Sequence, residues 1–436
     1  MPATRLAKAA LAFFVAIALF ATPAHAQPCF PGELFGSEEQ YVITTRAVDA
    51  AIGDLDGDGD LDLALALDNA DAIGVMLNNG DGTFAREILY GADDLPRAIG
   101  IVDVDGDGDG DVITVNLLGD SVSVLLNNGD GTFAFDVLYA AGDSSRDLVI
   151  ADLDGDGDPD LATADQSNAS VVVLFNAGDG TFAAPVPYGV QDQPLKVTAG
   201  DLDSDGDVDL AVVHRSTFMS VLLNNGDGTF ADDVAYDVTL DGQALAIGDL
   251  DNDGDLDIVS AGDGQLIGDE YMAFFFNNGD GTFAPAAFQD FTGTSLFVFL
   301  EDLDGDGDTD LIAHDTQFVG RDVFGFSVLQ NFGDGSFAPP AFYQFLASPQ
   351  SLALGDLNGN GAPDVAVVIG DRIFVLFNTC TPAPPRITGQ PAPVVLLPSG
   401  GGVAELSVVA TGAGPLTFQW QRDGVPLADG DGISGT

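Results

Sequence analysis

Asp54-Leu55-Asp56-Gly57-Asp58-Gly59-Asp60-Leu61-Asp62 places five carboxylates in nine residues. At about 4 Å each like-charged pair repels by roughly 1 kcal/mol even at the dielectric of water, and by more when partly buried. A divalent cation among the side chains resolves that repulsion. The oxygens are hard and neither His nor Cys stands beside them, which favours Ca²⁺ over zinc or copper. The spacing suits a wrapped ion, with side chains at loop positions 1, 3, 5 and 9 (Asp54, Asp56, Asp58, Asp62), the backbone carbonyl of position 7 (Asp60), and Gly59 making the sharp turn at position 6.

The stretch returns until there are seven copies. The equivalent residues are Asp103, Asp105, Asp107, Asp109 and Asp111; Asp152, Asp154, Asp156, Asp158 and Asp160; Asp201, Asp203, Asp205, Asp207 and Asp209; Asp249, Asp251, Asp253, Asp255 and Asp257; and Asp302, Asp304, Asp306, Asp308 and Asp310. The last copy has Asp356, Asn358, Asn360 and Asp364, with Ala362 at position 7, and its fewer charges predict a weaker site. Every copy keeps Gly at position 6. An EF-hand shares the opening spacing but needs a bidentate Glu at position 12, where these copies carry Leu65, Thr114, Thr163, Val212, Ser260, Ala313 and Val367. The competing reading, an acidic solvated turn with no specific ion, leaves seven matched copies unexplained.

A second signature, Asn78-Asn79-Gly80-Asp81-Gly82-Thr83-Phe84, recurs with its Phe at 133, 182, 230, 283 and 337, always 19 residues before the next acidic stretch. Counting back 19 from Asp54 reaches Phe35, and Tyr41 follows it by six, as Tyr90 follows Phe84. The chain therefore enters in mid-repeat. It leaves at the complementary point, where Asn378 stands at the start of a second signature that is not completed. A linear solenoid gains nothing from such splitting, whereas a ring is closed by it. Each repeat reads as four short strands, for example Ala98 to Val102, Val112 to Leu117, Val122 to Leu126 and Phe133 to Tyr139, which suits a propeller blade. The expected fold is all-β: a seven-bladed β-propeller of four-stranded blades, the N- and C-terminal strands sharing one blade, followed by a partial β-sandwich.

The flanks complete the expected organisation. Residues 1–26 carry Arg5 and Lys8, an apolar run from Ala9 to Phe20, and Ala24-His25-Ala26, the pattern of a secretory signal peptide cleaved after Ala26. The apolar run falls short of the roughly 20 residues of a spanning helix. In an exported chain Cys29 and Cys380 can form a disulfide at the closing joint of the propeller, residues 29–380. A Pro-rich linker occupies 381–390 and a further segment 391–436. The net charge of −57, from 69 acidic and 12 basic residues, argues against nucleic acid or anionic lipid as a partner.

The Asp-Leu-Asp-Gly-Asp-Gly-x-x-Asp stretch paired with Asn-x-Gly-Asp-Gly-Thr-Phe resembles the FG-GAP or VCBS repeat of bacterial extracellular proteins and, more distantly, integrin alpha-subunit propellers. The resemblance covers residues 35–378. It implies Ca²⁺ in the loops joining strands one and two of each blade, with ligand binding on the opposite face. Residues 391–436 resemble the opening of a bacterial immunoglobulin-like domain, with Trp420 as its core residue, and their length implies that such a domain would continue beyond Thr436.

The recurrent Phe residues, Phe35 through Phe337, are expected as wedges between blades, and Asp81 and its equivalents as turn residues. After cleavage only His214 and His314 remain, in different blades and without a nucleophile signature, so no catalytic site and no enzyme is expected. The copies starting at Asp249 and Asp302 are longer, with all the extra residues between strands two and three. There Tyr271, Phe318 and Arg321 mark a candidate ligand face, the bland reading being two tolerated surface insertions. The expected function is a secreted, calcium-binding adhesion, scaffold or protein-binding module. A calcium-dependent carbohydrate-binding lectin is the alternative, and a polysaccharide-acting enzyme the third reading.

Overall fold

The computed structural model describes residues 34–380 except 239, 265–270, 292–294 and 319–321, together with strand fragments outside that range. Among the described residues all regular structure is β, and no helix is long and apolar enough to cross a membrane. The second repeat shows the plan. Pro96–Val102, Asp111–Asn116, Ser121–Leu125 and Val137–Ala140 form one antiparallel four-stranded sheet in sequence order. The second and third strands are buried along their whole length, the fourth is mostly exposed, and apolar runs in the middle pair thus find cover on both faces.

Seven such sheets are present, and the seventh is composite: Ser351–Gly355, Asp364–Ile369 and Arg372–Asn378 accept Phe35–Val42 as outer strand, with Phe35 opposite Asn378. This is the ring closure that the 19-residue register predicts. The first strands are innermost and neighbour one another, with Asp49–Gly53 between Ser351–Gly355 and Pro96–Val102. The core is divided accordingly. Seven apolar clusters each draw on two adjacent blades, and one of them joins the last blade (Ala353, Ala366, Val368, Ile373) to the first (Leu63, Leu65, Leu67, Met76).

The Phe wedges stand between blades as the sequence predicts. Phe133 packs edge-on against Tyr90 of the preceding blade at 5.1 Å between centroids, and the Tyr90 hydroxyl donates to Gly131 O (3.1 Å) in the same turn. Tyr41 with Phe84, Tyr139 with Phe182, Tyr188 with Phe230, Tyr236 with Phe283 and Tyr343 with Phe35 repeat the edge-on pair. Each pair is worth about 0.5–1.5 kcal/mol beyond the area it buries.

Two expectations need correction. The fourth strand starts later than Phe133, because that residue pairs only with Asn127 across the turn and the ladder resumes at Val137. The described part of the insertion in the sixth repeat is strand, not loop: Asp310–Phe318 pairs with Asp322–Leu329 out to Phe318 opposite Asp322, while residues 265–270 of the fifth repeat lie outside the described residues. Tyr271 begins a third strand opposite Asp290, and Arg321 lies outside the described residues.

Residues 29–304 and 308–380 form one compact unit. In the other, Val15–Ile17 pairs with Trp420–Arg422, which pairs with Val425–Pro426, and Arg386–Gly389 pairs with Val409–Thr411. The rest of the predicted signal peptide, linker and immunoglobulin-like segment lies outside the described residues, as does Cys29; Cys380 is buried and is not a free thiol.

Candidate metal centres in the acidic loops

Each acidic stretch is the turn between the first and second strands of its blade, so its ends are fixed by the ladder; in the second blade Val102 pairs with Asp111. The loop curls because backbone N–H groups converge on its own carboxylates. Gly106 and Gly108 donate to the two oxygens of Asp103 (2.8 and 2.9 Å), Asp107 donates to Asp105 Oδ1 (3.2 Å), and Asp109 donates to Asp107 Oδ1 (3.0 Å). The curl needs left-handed backbone twice, at Gly106 (φ 74°) and Gly108 (φ 98°).

Position 4 therefore carries a conformational demand as well as position 6, and the fourth and fifth copies meet it with Ser204 (φ 60°) and Asn252 (φ 59°). A non-glycine residue there costs about 1–2 kcal/mol, less for Asn. Ser204→Gly is expected to raise stability by about 1 kcal/mol, since part of the gain is offset by glycine's larger unfolded-state entropy. A lowered melting temperature in saturating calcium would contradict this.

Position 9 is the best-anchored carboxylate. Asp111 is 1% exposed; its Oδ2 accepts from the Val104 N–H (2.9 Å) and its Oδ1 from the Asn127 N–H (2.8 Å). The same pair of donors serves Asp62, Asp160, Asp209, Asp257, Asp310 and Asp364. Burial pushes the carboxyls of Asp62, Asp111, Asp160, Asp209, Asp257 and Asp364 up to about 6. At position 3, Asp56, Asp105, Asp154, Asp203 and Asp251 are raised by desolvation and then by the charge at position 5.

Carboxylate oxygens of positions 1, 3 and 9 lie within 4.8 Å of one another in the second to fifth loops, and those of positions 1, 3 and 5 do so in the first. Position 7 points elsewhere. The Asp109 carboxylate lies against the hairpin turn of its own blade, so close to Gly129 that a Cβ there would be 2.4 Å from Oδ2. The chemistry of the donor set fits a hard cation, and so does an electrostatic deficit: Asp203 Oδ1, Asp249 Oδ1 and Asp251 Oδ1 are buried with no hydrogen-bond donor. The seventh loop differs. The Asn358 amide donates to Asp364 Oδ2 (2.9 Å) and the Asn360 amide to Asn378 O (2.9 Å), so neutral hydrogen bonds stand where the other loops gather charge.

The loops are also joined around the ring, by residues whose role sequence inspection missed. The buried Asn127 amide donates to Gly110 O in its own loop (2.9 Å) and to Leu55 O in the loop of the preceding blade (2.8 Å). Asn78, Asn176, Asn224, Asn277, Asn331 and Asn378 each reach the preceding loop in the same way, Asn78 closing the circle to Leu357 O. The signal was present in the invariance of the first Asn of the second signature across the repeats.

A seven-bladed propeller with one acidic, oxygen-only loop per blade is thus the class that fold and site define. The FG-GAP-like repeat family matches at residues 54–114, 103–163, 152–212, 201–260 and 249–313, more than half of the chain, and the protein belongs to that family. None of the curated proteins matches the sequence. Among solved structures, BBS1N in complex with ARL6DN, in crystals soaked with mercury or lead, superposes with a TM-score of 0.56 at 11% and 12% identity, covering 80% of this chain and 98% and 97% of that one. An Agrocybe aegerita lectin that recognises non-reducing terminal N-acetylglucosamine gives a TM-score of 0.49 at 23% identity, covering 69% of this chain and 80% of the lectin.

Proposed function

We propose that the protein is exported and acts outside the cell as a calcium-loaded propeller, serving as an adhesion or scaffold module that binds a protein partner. The observation that carries this reading is the acidic loop itself, repeated at every blade with its backbone bonded to the next blade, and holding buried carboxylate oxygens that lack donors in the fourth and fifth copies. Calcium held at positions 1, 3, 5 and 9 would neutralise these oxygens and lock neighbouring blades into a rigid platform, strongly in six loops and weakly in the seventh. Export supplies millimolar calcium and an oxidising medium for a Cys29–Cys380 bond. The Thr379 N–H donates to Leu34 O (2.8 Å), which brings the two chain segments leading to those cysteines together.

Expected results are a mature N-terminus at Gln27 and calcium-dependent retention of the protein on intact producing cells, released by chelator. Polysaccharide turnover by the pure protein would contradict the reading. We assign neither histidine a catalytic role. His214 is fully buried with Nε2 2.9 Å from Ser220 Oγ, but the Ser220 proton goes to Asp233 (2.7 Å), so the imidazole is not the group that accepts it. Burial lowers the His214 pKa to about 4, which keeps the ring neutral.

One observation favours the lectin reading. The fifth repeat has Gln289 where the other outer strands carry the stapling Tyr, and an open cleft of about 570 Å³ results, lined by Phe274, Phe276, Phe288, Gln289, Ser336 and Phe337. Aromatic faces beside an amide and a hydroxyl suit a sugar ring. Gln289→Tyr is expected to restore the staple, fill the cleft and stabilise by about 1–2 kcal/mol. Sugar binding on a glycan array that this substitution abolishes would support the lectin; blank arrays would count against it.

A further inference from the structure

The low count of basic residues conceals a local concentration. Four of the chain's 12 Lys and Arg residues, Arg97, Arg146, Lys196 and Arg215, fall in three consecutive blades at one edge of the ring. Arg97, Arg146 and Lys196 sit at the beginnings of innermost first strands, and Arg215 directly follows the second strand Asp209–His214. A strand's start before the acidic loop and its neighbour's end after it share the edge opposite that loop. The cations therefore face away from the acidic loops.

Their backbone is irregular at this edge. Pairing slips between Pro96 and Ala98, between Ser145 and Leu148, and between Pro194 and Lys196, so Arg97 and Arg146 project from β-bulges. Bulges re-aim side chains and recur at functional rims. Lys196 is already matched: its ammonium bonds Asp147 Oδ1 (2.8 Å), and Asp49 lies close enough to act on it. The arginines are not matched. Arg146 is half-buried and its Nε–H is held by the neutral Gln166 Oε1 (2.7 Å), while Arg97 and Arg215 make no ion pair or side-chain hydrogen bond among the described residues. Arg97 in the preceding blade and Arg215 in the following one share this edge with Arg146, whose proton affinity is lowered by its own desolvation and then by their like charges. In a chain with 69 carboxylates, three neighbouring arginines without one are a preformed demand for an anion.

We propose that Arg97, Arg146 and Arg215 form a receptor for a single carboxylate, an Asp or Glu side chain presented by a protein partner, on the ring edge opposite the acidic loops. Guanidinium forks recognise a carboxylate in two-point fashion. A polyanion is disfavoured because the net charge of −57 repels it at long range, whereas one carboxylate on an otherwise neutral segment can reach the rim. The proposal rests on the reading of the protein as a protein-binding module and names the chemistry of its contact.

The test uses the calcium-loaded mature chain and follows arginine Nε–H resonances by NMR during titration with N-acetyl-glutamate amide and, separately, N-acetyl-glutamine amide. The expected result is a saturable shift of the Arg146 resonance with the glutamate compound alone, weakened roughly tenfold or more by Arg97→Gln and unchanged by Arg86→Gln, an exposed arginine elsewhere. Equal response to both amides, or none to either, would overturn the proposal. Tighter binding of a trigalacturonate than of the glutamate compound would also overturn it, by assigning the site to a glycan. If Arg97→Gln/Arg146→Gln protein is still retained on cells in calcium, the receptor fails while the adhesion reading stands; wild-type protein that shows the Arg146 shift yet is never retained separates the opposite case.

Discussion

Removing divalent cations with a chelator is expected to lower the melting temperature by on the order of 20 °C, and calcium in excess to restore it. At a free concentration one hundred times the dissociation constant, each ion bound only by the folded state contributes about 2.7 kcal/mol, so six sites give about 16 kcal/mol. The pH dependence should reverse with the metal. A buried carboxyl whose pKa is raised to about 6 from its ordinary 3.8 stabilises the fold while protonated and loses that contribution as pH rises through 6. The chelated protein should therefore be more stable at pH 5 than at pH 7.5. The calcium-loaded protein should show the opposite order, because protons compete for the same oxygens. A melting temperature indifferent to chelator at both pH values would remove the metal from the fold's stability.

The second large effect is expected at Asn127. Its buried amide donates to Leu55 O and Gly110 O and its Oδ1 accepts from the Gly129 N–H (3.0 Å), so Asn127→Ala strands two carbonyls and one N–H. At about 1–3 kcal/mol for each stranded group, partly relieved by water, the loss should be about 4 kcal/mol. Asn127→Asp should cost at least as much, since it sets a carboxylate against two carbonyl oxygens. The exposed neighbour Asn128 bonds only within its own turn, and Asn128→Ala should stay within about 1 kcal/mol of wild type. Urea unfolding in saturating calcium distinguishes these outcomes; equal effects at the two positions would show that the link between blades contributes little.

Much of this architecture was legible because repetition turns local sequence into topology. The constant 19-residue step carried the register back to Phe35, and the observed pairing of Phe35 with Asn378 is its consequence. The acidic loops were legible because carboxylates at alternate positions have few other uses. What escaped inspection depends on distant partners or on conformation. Asn127 meets Leu55 across 72 residues, and nothing around either marks the contact. The left-handed demand at position 4 was hidden where Ser204 and Asn252 meet it without glycine. Extra residues in the sixth repeat read as loop because their number, not their pairing, is visible in the sequence. The overall charge hid the basic rim as well, since Arg97, Arg146, Lys196 and Arg215 are dispersed over three repeats and meet only in the folded ring.

Metal content is the most direct measure of whether the acidic loops are calcium sites. The mature protein, equilibrated in micromolar free calcium and passed over a desalting column, should retain about six calcium ions per chain by elemental analysis, with a further one taken up only at higher concentration. Retention of no calcium, with an intact fold in chelator, would contradict the assignment of the loops as metal centres and leave them as solvated acidic turns.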